Sequence, residues 1–283
     1  MREVPIAIFL SPHFDDIALS CGGMAARLSK MGAKCIGITV CAAPAAAIEP
    51  SIKGALLSPF AEMLHGQWES ASGSTVEAIN EVRRQEEQAS LKLLGLEPVW
   101  LDVPDAIYRR GASGDHLYNS EETLFSKVAP EERHQLVPHI AEEIRRVAGE
   151  NGARGRVRVF APLGVGNHVD HQLVFWAARR LEPRYGVLFY EDFPYASRAG
   201  ALQARFDGLH LPVQPRLVPI TEQIGIKIAA ISRYKSQLDV LFGSAGEMPA
   251  QVRAYGESVA GRQGDFAERF WHIPTVYSIP DAS

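Results

Sequence analysis

Two short stretches hold the residues whose types and spacing suit catalysis. "PHFDDI" at 12–17 brings together His13, Asp15 and Asp16, and "NHVDH" at 167–171 brings together His168, Asp170 and His171. His13 and Asp16 are three apart, as are His168 and His171, so each pair can point to one side of a turn entering a helix. Imidazole nitrogen and carboxylate oxygen are zinc ligands, and a catalytic zinc typically has three protein ligands with a position open to water. Two histidines and one carboxylate would fill three positions. The remaining aspartate and histidine would then be the acid/base groups that metal-assisted hydrolysis needs. Each stretch alone also has a plainer reading: capping aspartates after a strand, and a helix cap with surface histidines.

The elements around these stretches argue for the first reading. "IAIFLS" (6–11), the apolar 33–43, "PVWLDVP" (98–104), "RVRVFAP" (156–162) and "YGVLFYEDFPY" (185–195) read as strands. Helical periodicity covers 21–32, 76–95, 131–152 with a kink or restart at Pro138, and 167–182. Strands apolar on both faces, alternating with helices, predict an α/β class: a Rossmann-like, doubly wound, mainly parallel sheet with helices on both faces. In such sheets ligands bind beyond the carboxyl ends of the strands where the strand order reverses, between strands one and four. The two stretches follow those strands. From about residue 200, helices over 221–238 and 249–260 and an aromatic end, "ERFWHIP", form a C-terminal extension that completes the crevice of a single domain. The segments 44–75, with one short helix, and 105–130 are expected to set selectivity, as loops over a strand-end crevice do.

A chain of 283 residues that is 46% hydrophobic can bury one large core. The net charge of −4, with Lys and Arg dispersed, offers no basic patch and argues against nucleic acid as a partner. Cys21, Cys35 and Cys41 are odd in number and lack CxxC spacing, which fits a reducing cytoplasm. The N-terminal apolar run is too short for a signal-peptide core or a membrane span. A soluble cytoplasmic protein is expected, with an apolar C-terminal third that could serve a homo-oligomer.

At the two motifs the chain resembles the LmbE/PIG-L family of zinc-dependent N-acetylglucosaminyl deacetylases, whose signatures are a PHPDDE-type motif after the first strand and a later HPDH. Here they read "PHFDDI" and "HVDH"; "RRQEEQASLKLLG" (83–95) is similar to the family's RxxE helix and "YKSQ" (234–237) to a C-terminal family segment. The resemblance runs from residue 6 to about 270. It implies a Zn²⁺ site formed by His13, Asp16 and His171, with Fe²⁺ or another divalent metal as the alternative occupant. It further implies Asp15 as general base, His168 as acid or electrostatic stabiliser, and Asp170 as the carboxylate that orients His168. Substrate contacts are implied for Arg83, beside Glu86, and for Asp105 or Arg109 in "DVPDAIYRR". The implied activity removes an N-acetyl group from a small molecule or glycoconjugate containing an amino sugar. Phe14, Ile17 and Val169 depart from the family pattern without removing a ligand, and Gly164, Gly166 and Asn167 stand where the family has an aromatic residue before the second motif.

Two rivals share these features: an amidase acting on a larger acyl group or a thiol conjugate, and a non-catalytic Rossmann-like binding protein. The other histidines, His65, His116, His134, His139, His210 and His272, lack partner spacing and read as structural or exposed. "YEDFPY" after the fifth strand either lines the crevice or covers the sheet edge. No GxSxG occurs, which argues against a serine hydrolase of the elbow type.

Overall fold

The computed structural model describes residues 5–43, 57–68, 75–150 and 157–274. β1 (Ile6–Ser11), β2 (Lys34–Thr39), β3 (Glu97–Trp100), β4 (Val157–Pro162) and β5 (Gly186–Tyr190) are joined by parallel pairings, and β7 (Ala267–His272) runs antiparallel to both β5 and β6 (Gln214–Pro219). The order is β3-β2-β1-β4-β5-β7-β6. The chain winds outward from β1 to β3, then returns to place β4 on the other side of β1. That reversal opens the crevice between the ends of β1 and β4.

The two-residue period of β1 divides the core. Ile6, Ile8 and Leu10 pack into one apolar layer and Ala7 and Phe9 into the other. The first layer is closed by α4 (Pro130–Glu150) and α5 (Val169–Arg179), through residues such as Ile140, Ile144 and Phe175. The second is closed by α1 (Gly22–Lys30), the C-terminal half of α3 (Val76–Leu94) and the C-terminal helices. α3 starts and stops where its sequence says it should. The Thr75 hydroxyl caps the Ala78 N–H, and Gly95 ends the helix at φ 77°, a left-handed conformation that suits glycine.

Several expectations are corrected. The helix predicted over 221–238 is two, α7 (Ile224–Ile231) and α8 (Lys235–Phe242), with Ser232 Oγ bonding back to the Ile228 carbonyl at the break. Pro138 does not divide α4. Between residues 200 and 220 lie α6 (Ala201–Leu209) and the edge strand β6, and the aromatic end is β7. Of the 44–75 excursion, α2 (Pro59–Trp68) is the expected helix, and 44–56 and 69–74 lie outside the described residues.

The C-terminal part is fastened to the front of the site. Glu268 on β7 accepts the N–H groups of Gly23 and Met24 at the start of α1, at 2.8 and 2.7 Å, and pairs with Lys227 of α7 at 2.6 Å. A carboxylate at a helix N-terminus satisfies free donors and complements the helix dipole. Glu86 of α3 accepts from both the amide (2.9 Å) and the hydroxyl (2.6 Å) of Ser236 at the start of α8. The "RRQEE" and "YKSQ" segments therefore touch through this contact.

Candidate metal centre and catalytic crevice

Backbone constraints build both loops. After β1, Asp16 Oδ2 accepts the His13 N–H at 2.7 Å and Ser11 Oγ accepts the Ile17 N–H at 3.2 Å, folding 12–16 into a tight turn ahead of the π-helical turn Ile17–Cys21. After β4, Gly164, Gly166 and Asn167 all adopt positive φ, at 81°, 89° and 69°, conformations open chiefly to glycine and asparagine. The Asn167 amide anchors this loop on the carbonyls of Phe125 and Ser126, at 3.0 and 3.1 Å. His168 then caps α5, its Nδ1 accepting the Asp170 N–H at 3.2 Å. The plainer reading of this motif is thus half right: His168 is a cap, yet His168 and His171 are buried, at 6% and 1% exposure.

Ligand atoms of His13, Asp16 and His171 lie within 4.8 Å of one another, although they come from loops far apart in the chain. His171 Nε2 is 3.4 Å from Asp16 Oδ1, and His13 Nδ1 is 3.6 Å from Asp16 Oδ2. The other nitrogen of each ring is held by a carboxylate: His171 Nδ1 by Asp192 at 2.7 Å, and His13 Nε2 by Asp170 at 3.0 Å. Metal-binding histidines characteristically have such partners, so the donor set and its surroundings fit a divalent cation. A second group, His13, Cys41 and Asp170, is equally close, but the Arg109 guanidinium already pairs with Asp170 there. That cation already balances the charge of Asp170, which leaves the first group as the one better suited to hold a metal ion.

The electrostatics point the same way. Burial opposes a charge on Asp16, yet His171 and His13 hold its carboxyl down at about 2. Burial lowers His13 and His171, and adjacent carboxylates overcome it and raise both: Asp105, Asp16 and Asp170 for His13, Asp16 and Asp192 for His171. The negative field that holds protons on these rings would equally attract a dication. Asp15 is pushed up by its burial and by Asp16, with Arg83 and His13 opposing. His168 is driven well below the ordinary histidine value by burial and by His13.

Residues 8–181 match the family described as PIG-L: GlcNAc-PI de-N-acetylase. The chain belongs to the PIG-L family. Relatives include a 2'-N-acetylparomamine deacetylase of Niallia circulans, 32% identical over 245 residues that cover 85% of this chain and 83% of that protein. A Streptomyces fradiae protein of the same name is 32% identical over 198 residues, covering 69% of this chain and 59% of its own length. Among solved structures, the zinc-inhibited form of a teicoplanin deacetylase aligns with a TM-score of 0.78 at 26% identity, over 96% of this chain and 100% of the other.

Within this PIG-L fold, most residues named from the sequence reach the crevice, and some take other roles. Asp170 does not orient His168 through its carboxylate. Its side-chain oxygens go to Arg109, to the Ala106 N–H at 3.1 Å and to His13, and only its backbone N–H meets His168. Arg109, implied as a substrate contact, is buried, with Nε on Glu132 and Nη1 on Asp170 and the Pro104 carbonyl. Asp105 does face the centre, its Oδ2 3.7 Å from His13 Nε2. Arg83 lies over the rings of Trp68 and Phe14, 4.8 and 5.3 Å from their centroids, and Glu86 is taken by Ser236.

Two residues of "YEDFPY" belong to the site. Asp192 holds His171 and is itself fixed by the N–H groups of Gly164 and Val165, both at 2.8 Å. Tyr195 supplies an aromatic ring where the motif loop has none. A Cβ on Gly166 would lie 2.7 Å from Tyr195 Cγ, and the ring sits edge-on to His171 with centroids 5.9 Å apart. Applying the strand-end rule to β5 as well as to β1 and β4 would have singled out this segment. Glu191, immediately before Asp192, turns instead to Arg269, Tyr255 and Trp271.

Proposed function

We propose that this chain hydrolyses the N-acetyl group of an amino sugar carried on a small molecule or glycoconjugate, releasing acetate and the free amine. One observation carries the reading: His13, Asp16 and His171 gather around a common centre with Asp15 next to them and His168 stacked edge-on to His13, ring centroids 4.8 Å apart. Family membership supports it, as do relatives named for deacetylating 2'-N-acetylparomamine and teicoplanin. A divalent ion on these ligands, Zn²⁺ in this reading and Fe²⁺ as the alternative for the same donors, would supply Lewis acidity and make water more acidic.

The chain's own groups then divide the work. Asp15, adjacent to Asp16 but outside the ligand set, takes a proton from the attacking water as its oxygen bonds to the amide carbon. His168 has Nδ1 committed as an acceptor, so its neutral ring carries hydrogen on Nε2 and offers it to the oxygen on which charge builds. The C–N bond breaks as the proton gained by Asp15 passes to the departing nitrogen. Arg83, which lies over the Trp68 ring, and Asp105, beside His13, are assigned to the sugar. The sheet that carries the site extends to β6 and β7, which supports a single catalytic domain, and three buried free thiols support a cytoplasmic setting.

The test is metal analysis of protein purified without added metal, followed by acetate release from N-acetylglucosaminides and 2'-N-acetylparomamine. Activity lost to a chelator and restored by Zn²⁺ or Fe²⁺ is the expected result. Metal-loaded protein that releases no acetate, or that releases larger acyl groups faster, would overturn the assignment.

A further inference from the structure

A buried polar chain runs from His13 into the body of the protein. His13 Nε2 meets Asp170 Oδ2 at 3.0 Å, and Asp170 Oδ1 accepts from Arg109 Nη1. Arg109 Nε donates to Glu132 Oε1 at 2.6 Å, and Glu132 Oε2 accepts from the Tyr118 hydroxyl at 2.6 Å. Tyr118 is fixed in turn, its oxygen accepting the Ala129 N–H at 3.0 Å. Asp170, Arg109, Glu132 and Tyr118 are all buried.

This chain has a chemical consequence at its outer end. With one oxygen on Arg109 and the other on the Ala106 N–H, Asp170 is held in one orientation and acts toward His13 as an acceptor. The hydrogen of a neutral His13 ring therefore resides on Nε2. Nδ1, the nitrogen facing Asp16, is left with its lone pair free. We propose that Arg109, clamped by Glu132, is a positioning residue for the metal centre: by fixing Asp170 it selects Nδ1 of His13 as the ligating atom. The inference rests on the metal-site reading above. Arg109 touches neither substrate nor metal, and its burial explains why substitution there would be felt 2 links away at His13.

The experiment uses the full chain with Arg109→Met, which keeps length and removes the donors, and Arg109→Lys, which keeps the charge but not the fork. Zn²⁺ affinity is measured by competition with a chelating dye, and the His13 ring nitrogens are followed by ¹⁵N NMR in the zinc-loaded protein. Arg109→Met is expected to weaken Zn²⁺ by about 10- to 100-fold and to broaden or shift the zinc-bound Nδ1 signal of His13. Arg109→Lys should recover part of the affinity, with a His13 ring signal between those of wild type and Arg109→Met. Should Arg109→Met not fold, Arg109→Lys alone decides, by a measurable loss with the ring signal altered. Folded variants with wild-type affinity and an unchanged His13 signal would sink the proposal while leaving the metal site intact. A wild-type chain that takes up no metal would sink the underlying reading instead.

Discussion

Asp192 Oδ1 lies 2.7 Å from His171 Nδ1, while its other oxygen takes the N–H groups of Gly164 and Val165 from the loop after β4. One carboxylate thereby joins the ends of β4 and β5 and turns His171 Nε2 toward Asp16. Asp192→Asn should weaken metal binding about 10- to 100-fold, because an amide can hold the ring only if its oxygen faces His171, which leaves an NH₂ against two N–H donors. Metal titration of the variant checks this. Unchanged affinity would remove Asp192 from the site's support.

Asp15 and His171 should fail in different ways. Asp15→Asn is expected to lower kcat by about 10² to 10⁴ with metal retained, since Asp15 lies outside the ligand set. His171→Ala should lose metal and activity together. Measuring bound metal beside turnover separates the two roles, and normal turnover of the Asn variant would rule Asp15 out as the base.

Glu86 should prove structural although Arg83, one turn earlier on the same helix, acts electrostatically on Asp15. Its carboxylate makes two hydrogen bonds to Ser236 and so ties α3 to the start of α8. Glu86→Ala should lower unfolding free energy by about 1–3 kcal/mol and leave KM close to wild type, whereas Arg83→Ala should raise KM. Urea unfolding and steady-state kinetics give both readouts. A raised KM in a stable Glu86→Ala protein would return Glu86 to the substrate.

What the sequence made legible follows from where the physics is local. β1 shows its apolar pattern, α3 shows its cap and glycine stop, and the two motifs show their ligand types directly. β6 was not legible: "QPRLVP" carries two prolines and is largely exposed, as suits an edge strand and defeats a pattern search. The break between α7 and α8 lies inside one continuous periodic run, where tertiary docking of Ser236 on Glu86 decides. That His13, Asp16 and His171 come together could be expected from their motifs, but the partners of Asp170 could not. Arg109 reaches it from 61 positions away, and no spacing rule connects an arginine after β3 to an aspartate in α5.

Glu87 supplies a pH signature of stability outside the metal ligands. It is fully buried between the Thr39 hydroxyl and the Trp100 indole, and burial pushes its carboxyl up to about 8, those two donors notwithstanding. An unfolded glutamate titrates at about 4.3. Between these values the folded protein keeps a proton that the unfolded chain has released, so folding stability from this group is fully present below about 4.3 and is lost as pH rises through about 8. Glu87→Gln keeps both hydrogen bonds with a group that does not titrate, its amide oxygen accepting from Trp100 and its NH₂ donating to Thr39. Wild type should therefore lose a few kcal/mol, about 5 at most, between pH 5 and 9 relative to the variant. Urea denaturation of both proteins across that range measures the difference. Parallel profiles would show that Glu87 ionises normally in the fold, and would require water to reach a side chain that the structure encloses.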